Sequence, residues 1–424
     1  MSNNFSSNIT AKLARVFLKK FESQRVISKN VDTQLLDGKF NPSTGDTVYF
    51  KRPTDYTTTR SATGDISGST PDDIITGKAS GTVQNYFTVW VDYDEADEAI
   101  KMDQLDELLS PMAQRIVTDL EVDFASFMLK NAGLYAGDIG TPVTAWGDVA
   151  QASAIMRSTG IPQDSDWCYA CNPFTSTSLA DVQRSLGAVD SKVNSAFERA
   201  VMAQNFAGMR VMEATTLPTY TTHSGADRAG TLSGNPTVTY AGAKDTMTQT
   251  LALAGFQANL QIRAGEIIQI AGRNRLNLST RNAIVDASGA NILFTGVVTE
   301  AVTLSGTGTG NIDVAGPAIY EAGGAYNTVD SAPVSGDVVT LLGSASTMYQ
   351  PNLFWHKQAF SLGSVPIKKL HSTDTLMQTA DGLQMRVSKY ADGDKNKQTV
   401  RFDFRPAYAC LNPFFAGQGY GVSA

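Results

Sequence analysis

Cys168 and Cys171 stand three apart in the run WCYACNP, a spacing shared by dithiol oxidoreductases and by one half of many zinc sites. The surrounding residues argue against both chemistries. Residues 167–170 read as a strand, and Asn172-Pro173 ends it before a helix that opens at Thr175 or Ser176. Two cysteines three apart on a strand point to opposite faces. A redox pair needs its first thiolate at a helix N-terminus, and a tetrahedral zinc site needs further ligands that this stretch lacks. Both thiols are therefore expected to be buried structural groups. The acidic run Asp92, Asp94, Glu95, Asp97 and Glu98 has the charge for a hard cation, but like charges just ahead of a helix read as a solvated or partner-facing patch. His223, His356 and His371 are scattered and read as satisfied structural residues. No nucleophile elbow or dinucleotide fingerprint occurs; ITGKAS lacks the first glycine of a phosphate loop and the hydroxyl residue after Lys78, and GTGTG reads as a turn. No catalytic, cofactor or metal set is expected, and the chain does not read as an enzyme.

The elements around these residues belong to a large α+β chain. At 424 residues it exceeds the roughly 250–300 at which single cores stop growing, so two or more domains are expected. The net charge of -7 disfavours a general nucleic-acid binder, which must neutralise phosphates with Lys and Arg. Three cysteines leave one unpaired in any disulfide scheme, which fits a reducing compartment. The opening MSNNFSSNITAKLARVFLKKF lacks the apolar core of a secretory signal, and no stretch approaches the 18 apolar residues of a membrane span. A soluble protein made in the cytosol is expected.

Leu13, Val16, Phe17 and Phe21 recur at helical spacing within residues 10–29, where Lys12, Arg15, Lys19, Lys20, Arg25 and Lys29 face only Glu22. This predicts a basic, amphipathic N-terminal helix. GDTVYFKRP and TVQNYFTVWVDY predict two strands, the second with Val83, Phe87, Val89, Val91 and Tyr93 on one face. Residues 54–81 between them are too polar and glycine-rich for a core and predict a long projecting hairpin loop. Leu105, Leu108, Met112, Ile116, Leu120, Phe124 and Phe127 predict one long helix or two, with Ser110-Pro111 available as N-cap and first helical residue and Gly133 as the stop. Residues 223–346 change to short strand runs parted by glycine-rich turns and predict a separate all-β domain. The Asp392-Gly393 pair predicts a hairpin turn near the C-terminus.

Five segments, GDTVYFKRP with TGDISG, RIVTDLEVDFASFM, RAGEIIQIAG, PNLFWHKQAFSLGSVPIKKLHS and KYADGDKNKQTVRFDFRPAYACLNP, occur in the order found in one family. The chain resembles the major capsid (coat) proteins of short-tailed phages of enteric bacteria, in the subgroup with an inserted immunoglobulin-like or telokin-like domain. The resemblance runs over nearly the whole chain. It implies the capsid fold of tailed phages and herpesviruses, with residues 1–44 as N-terminal arm, 45–93 as extended loop region, 94–222 as peripheral domain with spine helix and the first part of an axial domain, 223–346 as the insert, and 347–424 as the remaining axial and peripheral parts. It further implies pentamers and hexamers of this chain in an icosahedral virion shell assembled in the host cytoplasm. Scaffolding protein, a portal at one vertex, and packaged double-stranded DNA as an unspecific neighbour are the implied partners, with no membrane and no cofactor. A non-viral nanocompartment shell of the same fold is the alternative. On this reading Lys51, Arg52, Arg60 and Lys78 pair with acidic surface on a neighbouring subunit. Lys244 and Asp245 make charge contacts across capsomers from a protruding loop of the insert. Lys12, Arg15, Lys19 and Lys20 of the arm engage scaffold or a neighbour.

Overall fold

The computed structural model describes residues 6–33, 35, 47–52, 55–94, 105–164, 166–185, 205–371, 374–392 and 397–423, with the side chains of 6–14, 93–94, 105–110, 183–185 and 392 left aside. Glu95, Asp97 and Glu98 of the acidic run, Gly393 of the expected turn and the Lys12 side chain therefore lie outside what is described. Helices and strands mix along the chain as an α+β fold. The chain divides into two compact units: Met1–Tyr49, Ser80–Ala125 and Phe360–Ala409 form the first, and Phe50–Ala79, Ser126–Ala359 and Cys410–Ala424 the second.

In the first unit, four antiparallel strands pair in the order Thr375–Gln378, Gln384–Asp392, Lys397–Phe404 and Phe87–Asp94. The N-terminal helix Ser6–Gln24 packs on one face of this sheet, where the Phe17 ring stacks 4.3 Å from Phe402 and Phe21 meets Phe404 edge-on at 5.7 Å. Burying each phenylalanine contributes about 1.5–3 kcal/mol. On the other face Asp403 is fully buried and accepts from Arg386, from Arg401 Nε at 2.7 Å and from Thr88 Oγ1 at 2.8 Å. The helix ends earlier than residue 29, and the cause is visible in its next residues. The amides of Ile27 and Ser28 donate to the buried Glu121 carboxylate at 2.8 and 3.0 Å, the Ser28 hydroxyl donates to it as well, and Arg25 pairs with Asp381 at 2.7 Å. Those amides are no longer available to close helical turns.

Glu121 belongs to the helix Leu105–Asn131, which contains Pro111. The expected N-cap at Ser110 is corrected: the helix begins at Leu105, and Pro111 lies inside it, where it removes the bond to the Glu107 carbonyl and crowds that carbonyl with its ring. Its 27 residues make a rod of about 40 Å. The strand expected over 82–93 is likewise two strands, Lys78–Val83 and Phe87–Asp94. Asp392 pairs with Lys397, so the connection is longer than a two-residue turn.

The second unit holds a mixed six-stranded sheet in the order Leu134–Ala136, Ala416–Gly419, Asn352–His356, Trp167–Cys171, Met209–Glu213 and Asn205–Phe206. Its central strands Trp167–Cys171 and Asn352–His356 are buried on both faces. Val149, Ala152 and Met156 of helix Trp146–Thr159 and Leu179 of helix Pro173–Ser185 complete the core around Trp167, Tyr169 and Phe354. Between Glu213 and Asn352 the chain forms a closed barrel, in the order Thr248–Ala254, Gly310–Ala315, Leu293–Val298, Ile267–Asn274, Val338–Leu341 and Ala229–Leu232. Leu251, Leu253, Ile268, Ile270, Phe294, Ile312, Val314 and Val339 form its interior. This is the period-two pattern of a sheet with one buried face, and closure leaves the barrel without a free edge.

The Glu121 contacts give a direct test of how the arm is held. Glu121→Ala strips two buried amides and a hydroxyl of their acceptor and is expected to cost about 2–4 kcal/mol, measured by urea unfolding. Asp119→Ala, which removes only the exposed partner of Arg115, is expected to cost under about 0.5 kcal/mol.

Candidate assembly site

Threonine, serine, glycine and aspartate dominate residues 55–76, and most of these residues are exposed. The loop supports itself through short-range polar bonds. Asp65 accepts from the Ser67 amide at 2.9 Å, and Asp72 holds the amide and hydroxyl of Thr57, tying the outgoing arm to the returning one. Tyr56, Ile66 and Ile74 stand 52%, 63% and 75% exposed, so the loop displays apolar side chains that its own chain does not cover. Arg60 is exposed, with no ion-pair or hydrogen-bond partner among the described residues.

The base of this loop is fixed against the turn that precedes the barrel strand Thr248–Ala254. Thr239 caps the short helix Tyr240–Ala243 by accepting from the Gly242 amide, and Lys244 and Asp245 follow. Asp245 accepts from the Lys78 amide at 3.1 Å and from Lys244 Nζ at 2.8 Å. Its carboxyl is held below the usual range, first by the Lys244 hydrogen bond. A Cβ on Gly77 would lie 2.6 Å from the Lys244 carbonyl oxygen, so only glycine fits without displacement. The outgoing arm is held by the Asp55 amide, which donates to Tyr326 Oη at 2.8 Å, and by Arg281, whose Nη2 meets the Asp55 carboxylate at 2.6 Å. Tyr326 in turn stacks on Tyr240 with ring centroids 3.7 Å apart, and Ile75 packs on the same cluster. The Arg52 amide donates to the Gly77 carbonyl at 2.8 Å and closes the two arms against each other.

Two groups of residues expected to act apart are thus joined within one chain. Lys51 and Arg60 face outward, and Lys78 has an exposed side chain above its anchored backbone. Arg52 departs from the expectation of an outward charge: its Nη2 approaches the Cys410 carbonyl at 3.5 Å, while Nε and Nη1 are buried without a partner among the described residues. Burial pushes its pKa down. Lys244 and Asp245 do not form a free projection, because their charges are engaged with each other and with the loop base. In the other unit Arg15, Lys19 and Lys20 are exposed along the N-terminal helix. Gly77, Tyr240, Tyr326, Asp55 and Arg281 escaped the sequence reading, since neither spacing nor composition marks residues that meet only across the fold.

The candidate chemistry resolves structurally. Cys168 and Cys171 are buried, with thiols directed at the carbonyls of Asp166 (3.9 Å) and Met212 (3.7 Å), and burial pushes both pKa values up to about 12. They stay protonated at neutral pH and are poor nucleophiles and ligands. His356 Nδ1 accepts from the Gln358 amide at 3.1 Å and its Nε2 contacts Asp164 at 3.0 Å. His223 accepts from the Gly225 amide. No group of three or more metal-capable side chains occurs among the described residues.

Gly77→Ala is expected to lower stability by about 1–3 kcal/mol through overpacking, whereas Gly68→Ala, which meets open space, leaves the melting temperature unchanged. The depressed Asp245 carboxyl adds stability at pH values above its unfolded pKa, and that contribution disappears as pH falls through its folded value. Proteolysis within residues 55–77 should therefore accelerate in acid, and Asp245→Asn should remove that pH dependence. Cys168 and Cys171 are expected to resist thiol reagents at pH 7 until the chain unfolds, read by mass spectrometry.

The family profile described as P22 coat protein - gene protein 5 matches residues 1–421. The major capsid protein of Acyrthosiphon pisum secondary endosymbiont phage 1 is 38% identical over 424 residues, spanning 99% of this chain and 100% of that one. Among solved structures, that of Mycobacterium phage Che8 is similar at a TM-score of 0.44 and 10% identity, covering 93% of this chain and 90% of its own. The capsid of Ralstonia phage GP4 is similar at 0.42 and 11% identity, over 95% and 91%. At such scores the structural likeness carries no weight beside the match in sequence. A profile that fits from the first residue to within three of the last, together with that full-length relative, means that this chain belongs to the P22 coat protein family of phage major capsid proteins.

Proposed function

We propose that the chain is the shell subunit of a short-tailed phage of enteric bacteria, assembling with a scaffolding protein into a precursor shell that expands during DNA packaging. The observation that carries the assembly reading is the loop of residues 55–76, exposed along its length yet fixed at both ends of its base. Such a loop has a set direction and unsatisfied surface, and a second copy of the same chain supplies what it lacks. Head-to-tail contacts of this kind close into rings, and rings close into a shell. Each contact need only be weak, because a subunit held by several neighbours gains from effective concentration and a misplaced one can leave. Lys51, Arg60 and Lys78 are the outward cations that pair with acidic surface on the neighbour.

The N-terminal helix uses its apolar face on its own sheet and leaves Arg15, Lys19 and Lys20 outward. These residues are the proposed contact for scaffold or a neighbouring subunit. The barrel of residues 229–341 takes the part of the inserted domain, with Asp245 and Lys244 setting the loop from within the subunit. Portal protein at one vertex and DNA as an unspecific neighbour complete the partners. Expansion requires subunits with two packings separated by a barrier.

Co-expression with the scaffolding protein, followed by electron microscopy and sedimentation, tests the reading. Wild-type chain is expected to give closed shells. Arg60→Glu is expected to keep its melting temperature while the yield of shells falls at least about tenfold, the factor that about 1.4 kcal/mol of lost contact energy produces. Normal shells from that variant contradict the assigned contact, and a monomer under every condition contradicts the function.

A further inference from the structure

Four arginines are buried among the described residues: Arg25, Arg228, Arg275 and Arg386. Three of them meet a carboxylate, Asp381, Glu266 and Asp403 respectively. Arg275 does not. It follows the barrel strand Ile267–Asn274 and is 4% exposed. Its Nη2 donates to the carbonyls of Thr295 at 2.6 Å and Gly133 at 3.2 Å and to Thr295 Oγ1 at 3.0 Å, and its guanidinium carbon stands 5.6 Å from the Phe294 ring centre. Nε and Nη1 have no hydrogen-bond partner among the described residues. Burial alone pushes the pKa down to about 10, which leaves the group a cation at neutral pH. A buried charge without a counter-charge is costly, and one nitrogen bonded to carbonyls offsets only part of that cost.

Beside this guanidinium lies a cavity of about 320 Å³, lined by Arg275 and by Tyr135, Gln151, Ile155, Thr159, Gln269 and Asn291 among others. That volume is at the lower end of the roughly 300–1,000 Å³ of ligand pockets, and an apolar wall with a few convergent polar groups is their usual lining. Arginine N–H groups in such a setting select an oxyanion. Asp286 also lines the cavity and stays ionised, because the Ser288 hydroxyl and the Ala290 amide hold its carboxyl below the usual range. Its charge disfavours a polyanion and leaves a compact, singly charged ligand.

We propose that this cavity binds a small monocarboxylate that accepts from an unpartnered N–H of Arg275, supplying the counter-charge that the other three buried arginines find within the chain. The ligand would bind the folded subunit only and would stabilise it by mass action. The proposal is read on free subunits, so it stands or falls separately from shell assembly.

Isothermal titration of the full-length chain at constant ionic strength in chloride, with acetate, benzoate and inorganic phosphate in separate arms, tests it. Saturable one-to-one uptake of a carboxylate is expected, with phosphate at least about tenfold weaker. Arg275→Met should weaken carboxylate binding at least about tenfold, while Arg115→Met, at an exposed site, leaves it unchanged. Because Arg275→Met removes a buried contact and can impair folding, Ile155→Trp provides a second variant that fills the cavity and keeps the guanidinium; it too should lose binding. No saturable uptake of either carboxylate by wild type overturns the proposal, as does equal uptake by the Ile155→Trp variant or tighter binding of phosphate.

Discussion

A loop with no core of its own can hold a direction only through its ends. In this chain that constraint falls on the few ångströms around Gly77, where the absence of a side chain lets the returning arm lie against the Lys244 carbonyl, and on Asp245, which joins the Lys78 amide to the Lys244 ammonium. The opposite arm is tied by Asp55 to Arg281 and Tyr326. None of these bonds is strong alone, because water screens exposed ion pairs of this sort. Their value is geometric: two separate ties fix a vector where one would leave a hinge. The barrel supplies the rigid body for both ties, since a closed sheet has no edge to slip and its interior is densely apolar.

The other unit solves the matching problem for the N-terminal segment. Most helical stability comes from packing rather than propensity, and this helix is held by two phenylalanines on the sheet and by a carboxylate that captures the amides just past its end. Hydrophobic burial supplies the energy, and Glu121 sets the place where the helix must stop. Its cations then project from a fixed helix instead of a wandering tail. In both units, outward-facing charged residues stand on backbone that is held in place.

Much of this was legible in sequence because burial leaves a periodic trace. Short strand runs between glycine-rich turns marked the barrel, three-four spacing marked the long helix through Leu120 and Phe124, and glycine with polar residues marked the loop. The errors share a cause as well. Pro111 and Ser110 looked like a helix start, yet the helix already runs from Leu105 and carries Pro111 inside it. Arg52 looked like a loop charge, but its position beside the strand turns it inward. Asp245 looked like a protruding contact, and only the fold brings Lys78 to it from 167 residues away. Local pattern reports which face is wet; it does not report which distant residue arrives there.

The central claim is that residues 56–74 are directed by their base and completed by another copy of the chain. Hydrogen exchange compared between free subunits and assembled shells measures this most directly. The account predicts fast exchange across 56–74 in the free subunit and strong protection in the shell, with the Lys78 amide protected in both. Protection of 56–74 in the free subunit, or equally fast exchange in the shell, would contradict it.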